Sequence, residues 1–111
     1  MIWEMNLHPE PFAAIKSGRK DIEMRLYDDR RKGIKVGDAI VFTNNKTLEK
    51  LSVEVINLYR FASFEELYQH FDKARLGYSE DEIANPRDME KYYSKDSILR
   101  YGVLAIEIKL K

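Results

Sequence analysis

Lys20, Glu23 and Arg25 stand within six positions of one another in the stretch GRKDIEMR, Gly18–Arg25, where five of eight residues are charged. An amine, a carboxylate and a guanidinium held this close can do chemistry. A carboxylate beside a lysine orients it or takes its proton, and a desolvated lysine serves as base or nucleophile. An arginine clamps a phosphate or holds the carboxylate in place. The simpler reading is a surface ladder of ion pairs, which contributes little to stability.

Which reading applies depends on how the chain presents these side chains. DIEMRLY alternates, so Ile22, Met24 and Leu26 are expected to face inward and Asp21, Glu23, Arg25 and Tyr27 outward. Lys20 sits at the strand start, beside a glycine, and is expected to be exposed or half-exposed. Ahead of it, PFAAIKSG reads as a short helix. Pro11 suits its first turn, Phe12 and Ile15 share a face, and Gly18 suits its C-terminal cap. IWEMNL is an alternating strand with Trp3, Met5 and Leu7 on one side. AIVFTN is a third strand, and LEKLSVEVINLYRF a long fourth with Leu51, Val53 and Val55 on one face. Ser63 with Glu66 forms a capping box for a helix through LYQHF, and Ser79 with Glu82 signals a second short helix that Pro86 interrupts. RDMEKYYS is expected to add a further helical turn. Gly102 introduces a last strand, VLAIEIKLK. Amphipathic strands of this number bury one face each by curling into a barrel, which also removes open edges. The expected fold is α+β: a small barrel of five to six mostly antiparallel strands with two to three short helices around it. No βαβ rhythm is present, which argues against a doubly wound parallel sheet.

The chain has 111 residues, favouring a single domain over 1–111. Its 44% apolar and 34% charged content is globular rather than disordered. With no cysteine, disulfides and thiol nucleophiles are excluded. No basic leader followed by an apolar run is seen and no run of eighteen apolar residues exists, so a cytoplasmic protein without a membrane partner is expected. Net charge is zero, against non-specific coating of nucleic acid. Its distribution is uneven. Residues 16–35 hold eight Lys/Arg and four Asp/Glu, whereas residues 63–96 hold five and nine. His8 and His70 sit in no metal-ligand or triad spacing, and no Gly-rich phosphate loop appears, so neither a metal nor a cofactor is expected. The seven tyrosines, among them the Tyr92-Tyr93 pair, either stack on bases or sit at core edges; the latter is the commoner use.

The segment PFAAIKSGRKDIEMRLYDDRRKGIKVGDAIVF resembles the ASCH domain, a branch of the PUA-like superfamily. The family pattern Gly-x-Lys-x-x-Glu-x-Arg is filled by Gly18, Lys20, Glu23 and Arg25, and the later VGD and YGVLAIEI fit the family's continuation and end. The resemblance implies a PUA-like β-barrel whose motif strand lines a cleft, and binding of RNA or nucleotides. Some members are amidohydrolases acting on N4-acetylcytidine, and others are ribonucleases. The amidohydrolases use the motif lysine, a threonine and a more distant glutamate. Lys20 matches the lysine, and Glu23 stands where that group has threonine.

Two functions follow. As a binding module, the cleft beside Lys20, Glu23 and Arg25 takes an RNA end, a nucleotide or a modified nucleoside. Arg19, Arg30, Arg31, Lys32 and Lys35 then contact phosphates, which positions a ligand without reading its sequence. As an enzyme on a modified nucleoside or an RNA phosphodiester, Lys20 is base or nucleophile and Glu23 its proton partner. Arg25 or Tyr27 then stabilises developing negative charge. A third possibility is a protein partner at the acidic region 63–96.

Overall fold

The computed structural model describes residues 1–111. Five strands, β1 (Ile2–Leu7), β2 (Ile22–Leu26), β3 (Ala39–Asn44), β4 (Lys50–Phe61) and β5 (Val103–Leu110), form one sheet in the order β1-β3-β4-β5-β2. β1 runs parallel to β3, and every other neighbouring pair is antiparallel. The sheet curls into a half-barrel. β1 and β2 remain its edges and are not hydrogen-bonded as a ladder, so closure is incomplete. The helices are α1 (Pro9–Lys16), α2 (Phe64–His70), α3 (Lys73–Leu76) and α4 (Lys95–Tyr101), with a 3₁₀ turn at Pro86–Lys91. No helix is long and apolar enough to cross a membrane.

Two cores occupy the two sides of this sheet. The first fills the half-barrel and the space beneath α1, with Met5, Leu7, Phe12, Ile15, Phe42, Val53, Leu104 and Ile106. The second lies between the outer face of β2 and β5 and the helices, with Ile22, Met24, Leu26, Phe64, Leu67, Leu76 and Met89. Residues opposite one another on an antiparallel ladder share a face. Glu23 faces Ile106 and Arg25 faces Leu104, both of the first core; Met24 faces Ala105 and Leu26 faces Val103, both of the second. The period-two pattern of β2 is therefore present with its sides exchanged. Its apolar face lies outside the half-barrel under the helices, and its charged face looks into the half-barrel. Both faces are covered, so alternation alone does not tell inside from outside. The apolar run that opens β5 has the same origin, a strand buried on both sides.

β4 carries a bulge between Val55 and Asn57. Before it, the odd-numbered Val53 and Val55 enter the first core. Beyond it Leu58 packs there, while Tyr59 and Phe61 pack on the second. One extra residue thus moves the strand's odd-numbered side chains from one core to the other and bends the sheet.

Ser63 caps α2 as expected, accepting from the Glu66 amide at 3.2 Å, while Glu66 accepts from the Ala62 amide. The Ser79–Glu82 pair does not start a helix. Glu82 accepts from the Ser79 amide at 2.7 Å and closes a turn. Pro86 disfavours helical backbone at Asn85, so helical structure resumes only as the 3₁₀ turn, capped by Asn85 itself. α3 and α4 lie outside the sequence expectation; α4 begins at a Ser94 cap and ends at Gly102.

Candidate functional site

Gly18, at φ +84°, ends α1 and turns the chain back, and the Lys20 amide then donates to the Ala14 carbonyl at 3.0 Å. This places Lys20 against the helix it has just left rather than in solvent. Its side chain is 8% exposed, where an exposed or half-exposed lysine was expected. The reason lies 57 residues further on. The left-handed Gly77 that ends α3 leaves room for the Lys20 stem, since a Cβ there would stand 3.1 Å from Lys20 Cδ. The Arg19 guanidinium donates to the Gly77 carbonyl at 3.1 Å, tying the same glycine to the motif.

Glu23 lies at the centre, its side chain 4% exposed. Lys20 Nζ is 3.3 Å from Glu23 Oε1, and Arg25 Nε donates to Glu23 Oε2 at 2.8 Å. Burial pushes the Glu23 carboxyl up, but the Lys20 ammonium and the Arg25 guanidinium outweigh it and hold the group below its ordinary value. Arg25 also donates to the Asn6 carbonyl on β1 at 3.1 Å. That contact spans the open seam of the half-barrel, where a sixth strand or a closed ladder would otherwise lie.

Over this floor runs a cleft of about 1120 Å³. One wall comes from the end of β1 and the start of α1, with Asn6, His8 and Pro11. The other comes from the end of α3 and the 3₁₀ turn, with Gly77, Tyr78, Asp88, Tyr92 and Tyr93; Tyr68 of α2 also lines it. His8 and Tyr92 face each other with ring centroids 5.9 Å apart. Tyr93 stacks on Phe64 at 6.2 Å. Burial raises its phenol, against the pull of the Arg25 and Arg31 guanidinia beside it.

Of the residues expected in the site, Arg19, Lys20, Glu23, Arg25, Arg30 and Arg31 line the cleft; Tyr27 and Lys32 do not. Tyr27 packs against the first core under the Arg60 guanidinium, 3.8 Å from its ring centroid. Lys32 is exposed and pairs with Asp29 at 3.2 Å. Lys35 also lies outside the cleft. Arg31 is held by Asp28 at 2.9 Å, whereas the exposed Arg30 has no carboxylate partner. Tyr68, Tyr78, Asp88, Gly77, His8 and Asn45 also line the cleft, and no local pattern in the sequence marks them for it. For the Tyr92-Tyr93 pair the sequence offers stacking or a core-edge place, and both line the cleft. Gly77 followed by Tyr78 is the one local feature that hints at this wall, and nothing nearby in the sequence connects it to Lys20. The acidic segment 63–96 is divided: Asp88 faces the cleft wall and Glu82 its rim, while Glu65 and Asp96 lie on exposed helix starts. No three His, Asp or Glu side chains are grouped so as to hold a metal ion.

The wall and floor together offer guanidinium groups for a phosphate, aromatic faces for a base and a buried carboxylate held ionised. Arg19, Lys20, Arg25, Arg30, Arg31 and Lys91 meet Glu10, Glu23, Asp28, Glu82 and Asp88, so the cleft is only slightly cationic.

A family model for the ASCH domain matches residues 5–111. The crystal structure of hypothetical protein PH0355 superimposes with a TM-score of 0.80 at 34% identity, covering 100% of both chains. The solution structure of protein PF0455 from Pyrococcus furiosus gives 0.71 at 34% identity, over 99% of this chain and 97% of that one. ASCH from Zymomonas mobilis, at 15% identity, shares the fold with a TM-score of 0.69 over 97% of this chain and 66% of its own. No curated protein matches the chain.

Proposed function

The chain belongs to the ASCH domain family, and from that premise we propose that it binds a nucleotide or the end of a short single-stranded RNA in the cleft above Lys20, Glu23 and Arg25. The observation that carries this reading is the pairing of guanidinium groups, from Arg19, Arg25, Arg30 and Arg31, with the aromatic wall of Tyr68, Tyr78, Tyr92 and Tyr93 around one cleft. Single-stranded RNA is recognised by stacking of splayed bases on such rings and by contacts to backbone phosphate. Arg30, exposed and without a carboxylate partner, is the phosphate contact at the mouth; Arg19 and Arg31 support it. Arg25, satisfied by Glu23 and Asn6, holds the floor. Internal pairing of most charges limits counterion release, so binding is weak, confined to short ligands and only moderately dependent on salt.

A second reading rests on the burial of Lys20 beside Glu23 within the same cleft. It is a hydrolase of a modified nucleoside or an RNA phosphodiester, with Lys20 as base or nucleophile and Glu23 as its proton partner. One experiment addresses both. The protein is titrated with mononucleotides, short RNAs and N4-acetylcytidine under NMR observation, and products are followed in the same tubes. Shifts at residues 19–31 and at Tyr68, Tyr78, Tyr92 and Tyr93 with intact ligand support binding, and conversion supports the hydrolase. Shifts confined to the acidic helix starts, or none, overturn both.

A further inference from the structure

Tyr68, Tyr78 and Asp88 form a hydrogen-bonded chain along one wall of the cleft. The Tyr68 and Tyr78 hydroxyl oxygens are 2.9 Å apart, Tyr78 Oη lies 2.7 Å from Asp88 Oδ2, and the Asn85 carbonyl is 3.3 Å from the same hydroxyl. The direction of this chain follows from its members. Tyr78 has one proton. Two of its three partners, a carboxylate and a backbone carbonyl, can only accept. The Tyr78 proton is therefore committed to that side, and the Tyr68 proton must be the one shared between the two phenols. Burial, with the bonds to Tyr68 and Asp88, pushes the Tyr78 phenol far above its ordinary value, so its proton stays in place across the working pH range. Tyr68 has then spent its only donor. It is half-buried, lines the cleft and keeps a free lone pair.

We propose that Tyr68 is the specificity-determining acceptor of this cleft, fixed in that polarity by Tyr78 and Asp88, and that it selects nucleotides whose base carries an exocyclic amino group. The proposal rests on the nucleotide-binding reading above and adds to it the class of base. A hydroxyl that cannot rotate its proton toward the ligand discriminates, because a base without a donor at that point leaves the acceptor unpaired. Tyr68 touches the ligand; Tyr78 and Asp88 are positioning residues that act through it.

The test uses pairs of ligands that differ only in the amino group: adenosine 5′-monophosphate against purine riboside 5′-monophosphate, and cytidine 5′-monophosphate against the pyrimidin-2-one riboside 5′-monophosphate. Dissociation constants are measured for the wild-type chain, Tyr68→Phe and Asp88→Asn, with an NMR spectrum of each variant to establish its fold. The amino ligand of at least one pair is expected to bind about tenfold more tightly to the wild type, the size of one well-made hydrogen bond. Tyr68→Phe should bring that ratio near one with little change for the ligand lacking the amino group. Asp88→Asn allows the chain to reverse, since the new amide can donate to Tyr78, and should also collapse the ratio in a folded protein. A wild-type ratio near one in both pairs, or a ratio that survives Tyr68→Phe, overturns the proposal while leaving nucleotide binding intact. Failure of all four ligands to bind overturns the nucleotide reading and this inference with it.

Discussion

Two three-membered ion networks meet near the start of β2, and they are built inversely. In the cleft, one carboxylate, Glu23, is shared by Lys20 and Arg25, with side chains 4–13% exposed. At the entry to the strand, one guanidinium, Arg75, is shared by Asp21 and Glu107, each pair at 2.8 Å, with side chains 20–38% exposed. The second network is an ordinary clamp. It fastens α3 to the residue that leads into β2 and to β5, and Tyr59 extends it by donating to Glu107. Water reaches it, so desolvation is small and the Coulomb gain is small as well. The first network carries the full desolvation cost of three charged groups, and a hydrophobic set of similar volume would serve stability as well or better. It lies in the floor of the cleft, with Arg25 bridging the barrel seam, and the binding proposed above is what would give that cost a use. Burial, more than the number of ion pairs, separates the two networks.

The contrast is broken most directly at Glu23. Glu23→Ala leaves Lys20 and Arg25 buried without a counter-charge and should destabilise the fold by about 3–5 kcal/mol, read as the midpoint of denaturant unfolding. A loss below about 1 kcal/mol would mean that the floor rearranges to reach water and that its burial is not part of the site.

Gly77 joins the two networks through α3, because it follows Arg75 by two residues and seats Lys20. A side chain there meets both a backbone at φ +108° and the Lys20 stem. Gly77→Ala should cost about 1–2 kcal/mol and weaken ligand binding more than that stability loss explains. Equal binding by a stably folded Gly77→Ala would remove the glycine from the site. Arg75→Ala should cost about 1 kcal/mol or less, a loss that shrinks further in high salt, and should leave nucleotide binding nearly unchanged.

Acid gives the smallest and most selective comparison. Glu23 is held below the ordinary carboxylate value, so its contribution is complete above the unfolded value and disappears as pH falls through the folded one. Asp38 behaves likewise away from the cleft. The Trp3 indole and the Lys35 amide, each donating at 2.9 Å, bring it from 3.8 to about 2. Its share of stability is present above about pH 4 and is lost on descent toward pH 2. Asp38→Asn should flatten the acid-unfolding curve over that interval, and an unchanged curve would deny Asp38 this role.

Much of this molecule is legible along the chain. All five strands, α1 and the Ser63 cap follow from alternation, proline and glycine placement and the capping pair, since these are short-range preferences. The resemblance to the family is carried by Gly18, Lys20, Glu23 and Arg25 together with the helix before them, the later VGD and the closing strand, and the ASCH match covers residues 5–111. The Ser79 box misleads because a cap can also close a turn, and Pro86 nearby decides for the turn.

What the chain order does not contain is which side of β2 faces which core, because both sides are covered and periodicity has no sign. It also does not contain the burial of Lys20, which depends on a glycine 57 residues away, or the aromatic wall, whose tyrosines at 68, 78, 92 and 93 look alike as core-edge residues until α3 and the 3₁₀ turn pack over β2. Residue types and local spacing determined the strands, the motif and its charge. Long-range packing decided which charges were taken out of water and which rings they meet, because desolvation is a property of the assembled surface and of no single segment.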